Sequence, residues 1–119
     1  MQRFEIIFLT EAREFLQTID EKSQEKIIFN IDKAKIKQDN NLFKKLEDEI
    51  WQFRTQYKKT YYRLFAFWDK EGEKQTLVVA THGIIKKTEK IPKKEIEKAK
   101  RIRLKYFELK KKIKNDSKR

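Results

Sequence analysis

Five basic residues between positions 54 and 87 are of the types that hold and process a phosphate. Arg63 lies inside the apolar run Tyr61 to Trp68 (YYRLFAFW), where a charge is costly unless the side chain reaches solvent or a partner. A guanidinium is a planar fork that can donate two hydrogen bonds to two phosphate oxygens. Arg63 is therefore the first candidate for stabilising a phosphate. The alternatives are a surface arginine on an exposed sheet face and a buried ion pair. Arg54 makes the same case at the end of the run Ile50 to Arg54 (IWQFR), against an edge-of-sheet charge facing water. Lys86 and Lys87 follow the last strand-like run and can grip a phosphate backbone or donate to a leaving group. A solvated loop is the plainer reading of that pair. His82 is the one histidine, and only histidine titrates near neutrality without perturbation. It is a candidate general acid or base, or else a hydrogen-bonded structural group at a strand end.

The charge balance points the same way. Thirty-one Lys and Arg face 19 Asp and Glu, a formal net charge of +12. Excess lysine keeps a surface solvated, but an imbalance this large also projects a positive field. Its natural partners are phosphate backbones, anionic membranes or an acidic protein, and nucleic acid comes first because no stretch suits a membrane. With no cysteine there is no disulfide framework, no thiolate nucleophile and no thiolate metal site. A single histidine makes no zinc site unaided, so no metal and no cofactor is expected. The N-terminal stretch MQRFEIIFLTEAREF contains acids and no long apolar core, which reads as neither signal peptide nor membrane span. The expected compartment is the cytoplasm.

The elements that must position these side chains follow from periodicity. At 119 residues the chain fits a single domain, residues 1–119, with a modest core and a frayed tail from about 113. Phe4 to Leu9 (FEIIFL) predicts a strand. Thr10 is placed to cap a helix whose buried face is Ala12, Phe15, Leu16 and Ile19. Asp20 can cap a second helix with the stripe Ile27, Ile28, Ile31 and Ala34, giving a helical hairpin that breaks at Gln38 to Asn41. Ile50 to Arg54, Tyr61 to Trp68 and Thr76 to His82 predict three strands in an antiparallel meander. A turn at Asp69 to Lys74 joins the last two, and Gly83 ends the last. Pro92 suits the first turn of a helix, whose stripe runs through Ile96, Ala99, Ile102, Tyr106, Leu109 and Ile113, widened by Leu104 and Phe107. The order predicts an α+β domain with helices on one face of a mainly antiparallel sheet. By alternation Arg63 shares a face with Tyr61, Phe65 and Phe67. Tyr62 and Trp51 could stack on bases, but as strand aromatics beneath helices they read as core.

This order resembles the RelE/ParE toxin fold, and the motifs go further. Lys45-Leu46, Trp51-Gln52-Phe53-Arg54, Tyr62-Arg63, and His82-Gly83 through Lys86-Lys87 to Pro92 are similar to the HigB, phage Gp49-like branch. The resemblance covers nearly the whole chain, with the motifs between residues 42 and 99. Each motif alone is weak; their order and spacing are specific. One departure is Ile84-Ile85, where that branch usually has an aromatic, which bears only on local packing.

The resemblance implies a RelE/ParE-like fold, with an N-terminal strand and helical hairpin on a mainly antiparallel sheet and a C-terminal helix. It implies a toxin neutralised by a cognate antitoxin, often a helix-turn-helix protein, and metal-independent cleavage of mRNA on the ribosome. Such cleavage uses the ribose 2′-OH as nucleophile. It needs in-line orientation, stabilisation of charge on the phosphorane-like transition state, and two proton transfers. Arg54, Arg63, His82, Lys86 and Lys87 are the expected catalytic set. Lys44 and Lys45, just before the second predicted strand, match a region whose lysines assist cleavage in the RelE branch. Lys93, Lys94 and Arg101, with other cations of the last helix, could dock on ribosomal RNA. Glu95, Glu97 and Glu108 are at hand to make that helix an ordinary solvated one instead. Two alternatives remain: a ParE-like toxin acting on DNA gyrase, and a non-catalytic basic nucleic-acid-binding module. A shared fold does not choose among them.

Overall fold

A computed structural model describes residues 2–72 and 76–116. Strand β1 (Glu5–Phe8) leads into helix α1 (Thr10–Thr18) and then helix α2 (Glu21–Ile36). Thr10 is the first helical residue rather than the cap; Leu9 takes the cap position and offers no side-chain bond. Asp20 does cap α2, its carboxylate accepting from the Ser23 N–H at 3.0 Å. Four strands follow rather than three: β2 (Phe43–Glu47), β3 (Ile50–Tyr57), β4 (Thr60–Asp69) and β5 (Leu77–Lys86). Helix α3 (Lys93–Asp116) closes the chain, directly after Pro92. The tail expected to fray from about 113 is helical as far as Asp116; residues 117–119, and part of the turn expected at Asp69 to Lys74, lie outside the described residues.

The five strands form one sheet in the order β1-β5-β4-β3-β2. All neighbours are antiparallel except β1 and β5, which pair in parallel with Glu5 opposite Leu77. β2 is the unexpected element. Phe43 is buried against Phe53, while Lys44 and Lys45 sit within the strand, not before it. Exposed lysines are a common feature of an edge strand, which is where β2 lies.

β3 and β4 are joined by a two-residue turn, Lys58-Lys59, with both residues at positive φ (48° and 66°). That is the conformation a tight hairpin demands, although asparagine or glycine usually supplies it. The turn fixes the register: Tyr57 opposite Thr60, and Arg54 opposite Arg63.

Helices cover both faces of the sheet, not one. Tyr62, Leu64, Ala66, Val78 and Ala80 point to α1 and α2, joining Ile27, Ile31 and the stacked Phe43 and Phe53 in the larger core. Phe65, Phe67, Val79 and Ile50 point the other way, under Ala99, Ile96, Tyr106 and Phe107 of α3. Trp51 and Tyr62 belong to the first core, as strand aromatics beneath helices should, and Tyr62 donates to Ser23 Oγ at 3.0 Å. Asp69, at the end of β4, ties down the middle of α3 by accepting from Tyr106 and Lys110, each at 2.6 Å. Leu104, Leu109 and Ile113 of the expected apolar stripe are exposed. A helix of this length spans roughly 36 Å, more than the sheet beneath it can cover.

Gly83 does not end the last strand. It sits within β5, opposite Leu64, and a Cβ there would lie 2.3 Å from Cδ2 of Phe15. The glycine lets the ring of α1 lie directly on the strand backbone. β5 therefore runs on to Lys86, which closes the strand instead of following it, and only Lys87 falls in the loop.

Candidate phosphate-binding cleft

The strand register arranges the α3 side of the sheet in rows. Gln56, Tyr61 and Lys86 form one row across β3, β4 and β5. Arg54, Arg63 and Ile84 form the next. Gln52, Phe65 and His82 form a third, extended by Lys44 on β2. The N-terminal part of α3 packs over the third row and beyond. Tyr61 and Lys86 of the first row and Arg54 and Arg63 of the second line a cleft of about 460 Å³, together with the loop residues Lys87, Thr88 and Glu89.

Charge in this cleft is lopsided. Arg63 is only 4% exposed, yet no carboxylate among the described residues pairs with it. Its Nη1 donates to the Tyr62 carbonyl at 2.9 Å, and its Nε has no partner. Arg54, directly across the ladder, donates weakly to the Asn40 carbonyl at 3.4 Å, and its Nε is likewise buried and unpaired. Burial, then the neighbouring Arg54 charge, lower the Arg63 pKa from its usual value. Burial, then Arg63 and Arg54, also lower Lys86, against the pull of Glu89. Like charges facing each other across a ladder are destabilising, and buried polar atoms without partners more so. Among the described residues, Glu89 is the one carboxylate lining the cleft. An anion seated between the guanidiniums would relieve both penalties at once.

The expected site residues are thus divided. Arg54, Arg63, Lys86 and Lys87 come together in the cleft. His82 lies on the same sheet face but in the covered row, 3% exposed, its ring stacked on Phe65 at 4.8 Å. Its Nδ1 is 3.0 Å from Thr81 Oγ1. Its Nε2 is 3.4 Å from Glu95 Oε1, an ion-pair distance without hydrogen-bond alignment. Burial, then Lys98, push the imidazole pKa down, outweighing Glu95 and Glu11. His82 does not line the cleft. Lys44 is exposed on the cleft side of the edge strand, whereas Lys45, opposite Trp51, belongs to the other face. Lys93, Lys94 and Arg101 are exposed on α3, away from the cleft lining. Other cations of that helix are engaged: Lys98 with Glu11 at 2.7 Å, Lys100 with Asp48 at 2.9 Å and Lys110 with Asp69.

Sequence reading passed over Tyr61, Thr88 and Glu89 as cleft residues. Tyr61 was legible in principle, since it alternates onto the face of Arg63. Thr88 and Glu89 sit in a polar loop whose return towards the sheet no periodicity encodes. No group of three or more His, Cys, Asp or Glu side chains suited to a metal occurs among the described residues, and no described helix is long and apolar enough to cross a membrane.

Fold and cleft together define a small α+β protein whose sheet carries two guanidiniums with buried, unpartnered Nε atoms in an open cleft. The chain belongs to the phage-derived Gp49-like family (DUF891), a family of the toxin type, which it matches over residues 14–104. The match takes in α2, β2 through β5, the whole cleft lining and the start of α3. No curated protein matches the chain.

Proposed function

We propose that this chain is a HigB-like toxin of a toxin–antitoxin pair, a metal-independent endoribonuclease that cuts mRNA on the ribosome. The observation that carries the reading is the pair Arg54 and Arg63. Two guanidiniums face each other across the ladder without a counter-charge, beside Lys86 and Lys87, in an open cleft. Guanidiniums so placed suit the non-bridging oxygens of a phosphodiester and the extra charge they carry in the transition state.

In this reading the 2′-oxygen attacks the adjacent phosphorus while the bond to the 5′-oxygen breaks. The products are a 2′,3′-cyclic phosphate and a free 5′-hydroxyl. Arg63 and Arg54 hold the phosphate. Lys86, whose pKa the cleft lowers, is suited to give a proton to the departing 5′-oxygen. Glu89 is the carboxylate at hand to take the proton of the 2′-hydroxyl. His82 supports the sheet beneath α3. The antitoxin is a helix-turn-helix protein in this reading, and the compartment is the cytoplasm.

The test is induction of the chain in cells with mapping of RNA 5′ ends. Cuts inside translated codons that disappear in Arg63→Ala support the ribonuclease. Intact mRNA with arrested replication would transfer the assignment to gyrase inhibition, and no effect on growth would leave a binding module.

A further inference from the structure

A second hollow adjoins the cleft. It measures about 240 Å³ and shares Arg54, Tyr61 and Arg63 with the larger cavity, but its outer wall is Asn41, Thr55 and Gln56. The two cavities meet at these shared residues, and the row Gln56, Tyr61 and Lys86 runs from the smaller one into the larger. Chemistry changes sharply along that row. On the β5 side of Tyr61 stand Lys86 and Lys87; on the β3 side stand two neutral amides. Neither the Asn41 nor the Gln56 side chain makes a hydrogen bond within the described residues, and both are exposed. A primary amide offers a donor and an acceptor together, which is what the edge of a nucleobase requires. Tyr61, 44% exposed, supplies a ring at the boundary on which a base can stack.

The amide wall is also held in place. Asp39 accepts the Asn41 N–H at 2.8 Å through its carboxylate, and its carbonyl accepts the N–H groups of Leu42 and Phe43, each at 3.0 Å. The Arg54 N–H in turn bonds the Leu42 carbonyl at 2.8 Å. The loop bearing Asn41 is thus fastened to the residue whose guanidinium floors the cleft. A base reader and a phosphate holder built on one anchored segment keep a fixed separation.

We infer that this smaller hollow is a nucleobase pocket, in which Asn41 and Gln56 read the edge of the base next to the phosphate held by Arg54 and Arg63 while Tyr61 stacks on its face. The inference rests on the ribonuclease reading and adds to it a source of sequence preference within the chain itself. The volume is below the range of a drug-sized site, which suits one planar heterocycle.

RNA 5′ ends mapped after induction of the whole chain test it, scored as the ratio of cuts at each base identity rather than as total cutting. The wild type is expected to favour one base at a fixed position beside the cut. In Asn41→Ala and in Gln56→Ala that ratio is expected to fall roughly tenfold, the scale of one amide–base contact. Gln38→Ala, on the exposed segment before the loop, keeps the wild-type ratio. Poor folding lowers all cuts together and leaves the ratio unchanged, so it cannot imitate the effect. Variants with an unaltered ratio, or a wild type that cuts without base preference, overturn the pocket while leaving the ribonuclease standing. A wild type that leaves RNA intact overturns the ribonuclease, and the pocket with it.

Discussion

Replacing Arg63 with methionine should make the protein more stable and deprive it of its anion response. The opposing contributions can be read from the cleft. Arg63 faces Arg54 across the ladder, a like-charge pair that costs roughly 0.2–1 kcal/mol. It also keeps a charge out of water with an unpaired Nε, a desolvation cost that for a buried ion reaches several kcal/mol, reduced here because the cleft is open. Against these stands one hydrogen bond, Nη1 to the Tyr62 carbonyl, about 1.5–3 kcal/mol for a charged donor. Methionine keeps a flexible apolar stem of similar length at that position. The balance favours the variant by about 1 kcal/mol, or a Tm higher by about 4 °C for a domain of this size. Thermal unfolding with and without inorganic phosphate checks it. The wild type should gain roughly 1.4 kcal/mol when phosphate is at ten times its Kd, and Arg63→Met should gain little. A variant less stable than the wild type, with its phosphate response intact, would show that Arg63 is a structural residue and that the anion sits elsewhere.

Three other outcomes follow from the packing. Gly83→Ala should cost about 1–3 kcal/mol in a urea titration, because its Cβ meets the Phe15 ring and α1 must shift from β5. Lys59→Gly should stabilise by about 1 kcal/mol in the same titration, since glycine adopts the left-handed conformation of the hairpin without the strain a side chain brings. His82 gives stability a pH dependence. Its folded pKa lies below the ordinary 6.5, so in acid the unfolded chain binds a proton that the folded protein resists. Stability should hold above about pH 6.5 and fall as the pH drops towards the lowered folded pKa, and His82→Gln should flatten that slope. An unchanged slope would mean that carboxylates govern it instead.

How far these features could be read from sequence depends on which residues carried them. The helices and the strands β1, β3, β4 and β5 announced themselves through their apolar residues, and the Asp20 cap through its position. β2 did not, because FKKLE buries little beyond Phe43 and wears the lysines of an edge. Gly83 reads as punctuation until one sees the ring that lies on it. Apolar spacing also shows that a helix has a buried face without saying which side of a sheet it covers, so α3 was expected beside α1 and α2. Arg54 and Arg63 were legible as unusual, but their opposition depends on a tight turn made of two lysines, which lack the usual turn chemistry. His82 shows the reverse: a reactive residue type that the fold encloses between Phe65, Thr81 and Glu95.

The parallel pairing of β1 with β5 has a consequence for the order in which the protein comes into being. The first strand cannot find its neighbour until roughly seventy further residues have been made, and that neighbour also carries Lys86, one of the cleft's two lysines. Contacts so distant in sequence form late and slowly. A nascent chain still short of Lys86 has neither a completed sheet nor a full set of cations. The cations of the cleft are therefore brought into one row only when β5 joins the sheet.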